Sequence, residues 1–280
     1  MYNLLVMKLL IMRHGETFWN TEGRLQGQTD IPLDENGIRM AISCGEGMKE
    51  VPIDLCISST LIRAAQTAEL CLFPNRRYAE ASEALIQALC ESKTLTGPHR
   101  KVVTAPSERV VESCVREYGA FSGENRDFVN ASGRKVRYLT DDRLVEAGFG
   151  PWEGLICRGK DYNVPLENFG TYWSDPESPL IDPGVERLTQ VADRVEGVLS
   201  ELFACELLKD KTILLIVHGC VIRSIFYLMN GKKGFTGKVP LNCEVIYAHP
   251  DPDAFLSEDG REIFCDRSML HDYYADMVQE

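Results

Sequence analysis

The chain has 280 residues, 44% of them apolar and 26% charged, with 11 Phe, 10 Tyr and 3 Trp. That is enough apolar material for a buried core in one large or two small domains, and it excludes a wholly solvated, disordered chain. Acidic residues outnumber basic ones by 42 to 30, leaving a net charge of −12, which excludes a general coat for nucleic acid or an anionic membrane; an anionic substrate needs a local basic pocket.

The first run, Met1 to Met12, is apolar but carries Lys8 within it, and no small-residue cleavage site follows. Arg13-His14 ends it well short of the ~20 apolar residues that cross a membrane. A cytoplasmic protein is expected, with Leu9 to Met12 as a strand covered on both faces and Met7 as an alternative start. Gly15 to Leu33 reads as a long loop, followed after Asp34 by a helix that buries Ile38, Ala41, Ile42 and Met48. Asp54 to Ser58 is the second strand, and Thr60 to Leu72 a helix with an apolar stripe. From Phe73 to Arg134 two amphipathic stretches stand out. Leu85, Ile86, Leu89 and Cys90 share one helical face, as do Val110, Val111, Cys114, Val115 and Tyr118, with loops at 94–101 and 122–134. Val136 to Leu139 resumes as a strand, and Gly184 to Leu208 is a long helix. Thr212 to Val217 is the most strand-like run, Val221 to Met229 a helix, and Glu244 to His249 a strand. Glu262 to Asp266 forms a strand after an Asp259-Gly260 turn, and Ser268 to Met277 a closing helix. Strands alternating with helices indicate an α/β sheet.

The 10 cysteines form no CxxC pair and sit mostly inside apolar patterns. They read as reduced thiols acting as small hydrophobes rather than as a zinc or redox site.

The chemistry concentrates at strand ends. Arg13-His14-Gly15-Glu16-Thr17 follows the first strand, and His218-Gly219 follows Thr212 to Val217, so two of only 5 histidines stand at the carboxyl ends of strands. That edge is where open α/β sheets bind ligands. A glycine after each histidine permits a tight turn and close approach of backbone N–H groups to an anion. Arg63 falls in the first turn of a helix after the second strand, within Ser58 to Ala68. Glu146 precedes a glycine- and aromatic-rich turn, Ala147 to Gly154. Taken singly, each could be an ordinary loop or helix-surface residue; the paired His-Gly ends make that account weak.

The motifs together resemble the histidine phosphatase superfamily, the phosphoglycerate mutase-like group. R-H-G-E-T is Arg13 to Thr17, W-N is Trp19-Asn20, and G-R-x-Q-G is Gly23 to Gly27. S-S-x-x-x-R-A-x-Q-T-A is Ser58 to Ala68, L-x-E-x-x-F-G-x-W-E-G is Leu144 to Gly154, and H-G-x-V-I-R is His218 to Arg223. The resemblance implies a three-layer sandwich with a mostly parallel, doubly wound sheet and helices on both faces. It implies one catalytic domain over 1–280 and a helical insertion at 75–134, because the interval from Arg63 to Glu146 exceeds what compact members need.

It also implies roles. His14 attacks phosphorus and carries a phosphohistidine; Arg13 and Arg63 hold the phosphoryl oxygens and disfavour the imidazolium; His218 stabilises transition-state charge. Glu146 protonates the leaving oxygen and then accepts a proton from water, a dual role that calls for a raised pKa. Asn20, Gln26, Gly27 and Gly219 are further phosphate or substrate contacts, while Glu16, Arg24, Trp152, Glu186 and Arg194 read as structural. With charge neutralised by side chains, no metal and no cofactor is expected. The insertion, near charge balance and carrying Arg76-Arg77 and His99-Arg100-Lys101, is either a cap over the site or a decoration that packs at an edge or in a homodimer. Cys220 stands where the group commonly has Gly, and Gly184-Val185-Glu186-Arg187 lacks a usual Ser.

The expected activity is hydrolysis of a phosphorylated small molecule. A phosphoglycerate mutase-like phosphotransferase is the alternative; the interval between Glu146 and His218 lacks the cluster of adjacent arginines that would enclose a bisphosphate. A non-catalytic phospho-ligand-binding protein is a third reading, opposed by the intact set Arg13, His14, Arg63, Glu146 and His218.

Overall fold

A strand buried on both faces needs an unbroken apolar run, and three such runs build the centre of the sheet. In the computed structural model, which describes residues 7–95, 97–118, 136–230, 240–248, 261–263, 265 and 267–269, these are β1 (Lys8–Arg13), β2 (Leu55–Ser59) and β5 (Thr212–Val217). With β3 (Arg100–Ala105), β4 (Val136–Asp141), β6 (Glu244–Ala248) and β7 (Arg261–Ile263) they form one sheet in the order β3-β4-β2-β5-β1-β6-β7. The four strands β4, β2, β5 and β1 run parallel, and β3, β6 and β7 join antiparallel.

Alternation along these strands feeds two cores. Leu9, Ile11, Ile213 and Leu215 pack on one face with α7 (Leu188–Ala204) and α8 (Gly219–Asn230). Leu10, Met12, Leu214 and Ile216 pack on the other with α2 (Glu35–Gly47) and α3 (Ile62–Leu72). The result is the three-layer α/β arrangement. Among the described residues no helix is long and apolar enough to cross a membrane, and the cysteines whose side chains are described are free thiols.

Register decides where the motifs meet. Arg13 pairs with Val217 across β1 and β5, and the His14 N–H donates to the Val217 carbonyl at 3.0 Å. The two His-Gly turns therefore leave adjacent strands at the same level. Ser58 pairs with Ile216, and Ser59 with Asp141, so the segments carrying Arg63 and Glu146 leave the same edge. The loop after β1 holds only a short helix, α1 (Phe18–Thr21), closed by a Thr17–Asn20 capping box.

Three expectations are corrected. The insertion is not purely helical: between α4 (Arg76–Glu91) and α5 (Glu108–Tyr118) runs β3, whose first two residues end the segment read as a loop at 94–101. β3 is an edge strand with half its side chains exposed, so it lacks the apolar run that marks a central strand. Ile86 and Leu89 of α4 and Val110 of α5 are buried as expected, but Cys90 and Val111 face out. The helix expected from Gly184 begins at Leu188 and ends at Ala204, because Gly184 takes φ +91° and Glu186 is committed to the Gly148 N–H. A further helix, α6 (Leu166–Ser174), was not expected. The loop at 122–134, the Asp259-Gly260 turn and the closing helix beyond Met269 lie outside the described residues.

The start of α2 is pressed against the loop that follows His14. Asp34 caps Gly37 N–H at 2.7 Å, and its own N–H donates to the Glu16 carbonyl at 3.1 Å. A Cβ at Gly37 would overlap the Glu16 backbone. Gly37→Ala should therefore lower stability by about 1–3 kcal/mol, measured by urea unfolding; an unchanged midpoint would contradict this packing.

Candidate active site

Arg13, His14, Arg63 and Glu146 line one cavity of about 380 Å³ at the carboxyl edge of the parallel strands, together with Asn20, Gln26, Gly27 and Gly219. His218 stands directly behind them, fully buried, its ring centroid 5.1 Å from that of His14. All the residues singled out at strand ends thus converge.

Arg63 is 0% exposed. Its guanidinium donates to the Gly27 carbonyl at 2.8 Å, the Thr29 carbonyl at 3.0 Å and His218 Nδ1 at 3.3 Å. Burial pulls its pKa down to about 10, with Glu146, Asp30 and Glu153 pulling the other way, so it stays charged at neutral pH. An arginine N–H can only donate, so His218 Nδ1 accepts and the proton of the neutral ring sits on Nε2. That Nε2 is buried without a hydrogen-bond partner among the described residues.

His14 takes the opposite tautomer. Its Nδ1 lies 2.7 Å from the Gly15 carbonyl, which only accepts, so Nδ1 carries the proton and Nε2 keeps its lone pair. Burial first, then the charges of Arg63 and Arg13, hold its pKa well below 6.5. His218 is depressed in the same sense, by burial and then by Arg63. Position is set on both sides: the Gly15 N–H donates to Thr67 Oγ1 at 2.9 Å, Thr67 donates to the Arg63 carbonyl at 2.7 Å, and Asn242 Nδ2 donates to the His14 carbonyl at 2.8 Å. Arg13 is tied by NH1 to the Pro240 carbonyl at 3.0 Å.

Glu146 Oε1 accepts the Cys220 N–H at 3.0 Å, and the Glu146 carbonyl accepts from Arg194 at 3.1 Å. Arg194 in turn pairs with Glu186 at 2.7 Å, the structural role expected of both. Cys220 turns its amide toward Glu146, and its thiol is held protonated by burial and by that carboxylate. Asn20 spends its amide oxygen on Thr17, which leaves its donor end for the cavity it lines. Gly27 does more for Arg63 than for a ligand. Its φ is +55°, a Cβ there would strike the Glu153 carboxylate, and its carbonyl is an Arg63 acceptor. Glu153 locks this loop by accepting from Gln28 N–H at 3.0 Å, Thr29 N–H at 3.0 Å and Phe149 N–H at 3.1 Å.

Sequence reasoning gave no role to Arg158, Arg223, Phe169 and Trp173, which also line the cavity. Two spacings could have found them: Phe169 and Trp173 are four apart on α6, and Gly219 and Arg223 four apart on α8. No described residue of 75–118 lines the cavity; instead Arg109 of α5 bonds Thr60 and pairs with Asp30, whose carboxylate caps the Ile62 N–H at 2.6 Å. The described part of the insertion braces the helix that carries Arg63.

The model of the histidine phosphatase superfamily (branch 1) matches residues 9–88 and 128–260, leaving out the stretch that holds β3 and α5. A 2,3-bisphosphoglycerate-dependent phosphoglycerate mutase of Protochlamydia amoebophila is 26% identical over 81% of this chain and 86% of its own length. One from Arabidopsis thaliana is 24% identical over 79% of this chain but only 57% of its own length, so the chain spans under three fifths of that relative. Among solved structures, a mycobacterial glucosyl-3-phosphoglycerate phosphatase superposes with a TM-score of 0.55 at 20% identity, over 86% of this chain and 89% of that one. The Bacillus stearothermophilus protein YhfR gives 0.53 at 22%, over 86% and 89%. At those identities the structural likeness is one of fold.

The tautomers are open to measurement. At pH 6.5, where an unperturbed imidazole is half protonated, long-range proton–nitrogen NMR should find His14 neutral with its proton on Nδ1, and His218 neutral with its proton on Nε2. A charged His14 at that pH would contradict the site's electrostatics.

Proposed function

Because the chain belongs to the histidine phosphatase superfamily (branch 1), we propose that it hydrolyses phosphate monoesters of a small molecule through a phosphohistidine on His14. The observation that carries this reading is the Nδ1–H bond to Gly15, which leaves Nε2 of a neutral, buried imidazole in the cavity. Arg13, Arg63, the Nε2–H of His218 and the Asn20 amide take up the phosphoryl oxygens, and the N-terminus of α8 at Gly219 adds its dipole. His14 Nε2 attacks phosphorus in line with the leaving oxygen, which receives the proton of Glu146. Water then attacks the phosphohistidine, Glu146 takes its proton, and phosphate leaves. Charge is neutralised by guanidinium groups fixed before substrate arrives, so the proposed reaction needs no metal or cofactor.

The second reading is a mutase, favoured by the curated relatives, which are phosphoglycerate mutases. Hydrolysis is supported by the stretch between Glu146 and His218, which has no run of adjacent arginines, and by the aromatic wall that α6 supplies instead.

Phosphate release from p-nitrophenyl phosphate separates the readings. Hydrolysis predicts turnover without a bisphosphate primer, insensitive to chelator and abolished by His14→Ala; strict dependence on the primer supports the mutase. Glu146→Gln should lower kcat by about 10²–10⁴ on an alkyl phosphate and by much less on p-nitrophenyl phosphate, whose leaving group needs little protonation. Equal losses on both would remove Glu146 as the acid. The acid limb of kcat/KM should lie below pH 6.5, because the pKa of His14 is depressed and attack requires the neutral ring.

A further inference from the structure

The cavity has more in it than a phosphoryl group requires. Among the described residues that line it, five arginines (Arg13, Arg24, Arg63, Arg158 and Arg223) face one carboxylate, Glu146, in a protein of net charge −12. Arg13 and Arg63 serve the phosphoryl end, and Arg24 is spent on Glu22 at 2.5 Å and the Gly154 carbonyl at 2.7 Å. Arg223 stands with Trp173 and Phe169 on another wall, and Arg158 lines the cavity near Asn20. Arg158 is anchored by donating to the Asn20 carbonyl at 2.6 Å, and Arg223 lies over the Trp173 ring, 5.0 Å from its centroid.

The wall beside them is aromatic and braced. Phe169 and Trp173 meet edge to face at 5.7 Å, Trp152 backs Phe169 at 6.1 Å, and Tyr172 packs on Trp173 at 4.9 Å. Such a wall is set before binding and costs little ordering entropy. The Trp173 indole N–H is buried and has no hydrogen-bond partner among the described residues, which marks a place for a ligand acceptor.

Resting on the hydrolytic reading above, we propose that the wall formed by Phe169, Trp173 and Arg223 is a recognition subsite for a flat, apolar group bearing a second anion. The substrate class is then a phosphate monoester of an aromatic alcohol that carries a further acidic group. Its ring lies on Phe169 and Trp173, and its second anion is held by Arg223.

The test compares phenyl phosphate, 3-carboxyphenyl phosphate and glycerol 2-phosphate on the full chain and on Arg223→Gln, Arg223→Lys and Trp173→Leu, each checked for an unchanged circular-dichroism melt. The wild type should favour the carboxylated ester over phenyl phosphate by about tenfold or more in kcat/KM. Arg223→Gln should bring that ratio close to one, and Arg223→Lys should restore part of it. Trp173→Leu should lower kcat/KM on both aryl esters relative to glycerol 2-phosphate. No carboxylate preference in the wild type, or an equal loss on all esters in Arg223→Gln, overturns the subsite. If the wild type releases no phosphate from any ester, the hydrolytic reading fails and calorimetric binding decides the subsite. Tenfold weaker binding of the carboxylated ester alone by Arg223→Gln upholds it, and equal weakening of both esters rejects it.

Discussion

The structure turns on one cation taken out of water. Arg63 is fully buried at the junction of α3, the loop of residues 26–30 and His218, and its pKa falls to about 10 under that burial. Desolvating a guanidinium is expensive unless its donors are met, and two loop carbonyls and one imidazole nitrogen meet them. The consequences run outward. His218 must accept at Nδ1, so it presents a donor at Nε2; His14, buried beside Arg63 and Arg13, is held neutral. Glu153 exists in this arrangement to keep the Gly27 and Thr29 carbonyls where Arg63 needs them. Asp30 and Arg109 hold the start of α3 from the other side. Strand register brings the four carriers to one edge, and the buried guanidinium fixes how they face each other.

The end of the cavity around His14 and His218 was legible in the sequence because it is built from strand ends. Unbroken apolar runs at Leu9 to Met12 and Ile213 to Val217 marked central strands, and a histidine followed by glycine at each end placed both at a ligand edge. What the runs could not convey was which strands are neighbours. The β1–β5 register that puts His14 beside His218 is a tertiary fact. β3 was hidden because an edge strand needs only one covered face and opens on charged Arg100 and Lys101. α6 was hidden for a local reason: its N-cap is Pro165, with no side-chain cap, and Gly170 interrupts it. Glu146 could be named as a carboxylate on a turn, but not that its oxygen would be claimed by the Cys220 amide. Arg158, Arg223 and Trp173 acquire meaning only when α6, α8 and the segment after Gly154 are brought round one cavity.

The walls of the cavity come from different elements. Arg13, His14, Arg63 and Glu146 stand at the edge of the parallel strands, while Phe169, Trp173 and Arg223 come from α6 and the second turn of α8. A net −12 repels anions at long range, but that field is screened beyond ~10 Å at ordinary ionic strength, and within the cavity the guanidinium groups dominate.

The central claim is that a neutral His14, with its proton held on Nδ1 by the Gly15 carbonyl, offers Nε2 as the atom that takes the phosphoryl group. Rapid quenching of the enzyme with phenyl phosphate in base, followed by peptide mass spectrometry and phosphorus–nitrogen NMR of the adduct, tests it directly. The account predicts one phosphoryl group per chain, on Nε2 of His14, appearing and decaying at rates consistent with turnover. Phosphorylation at Nδ1, on another residue, or turnover with no adduct at all would contradict it.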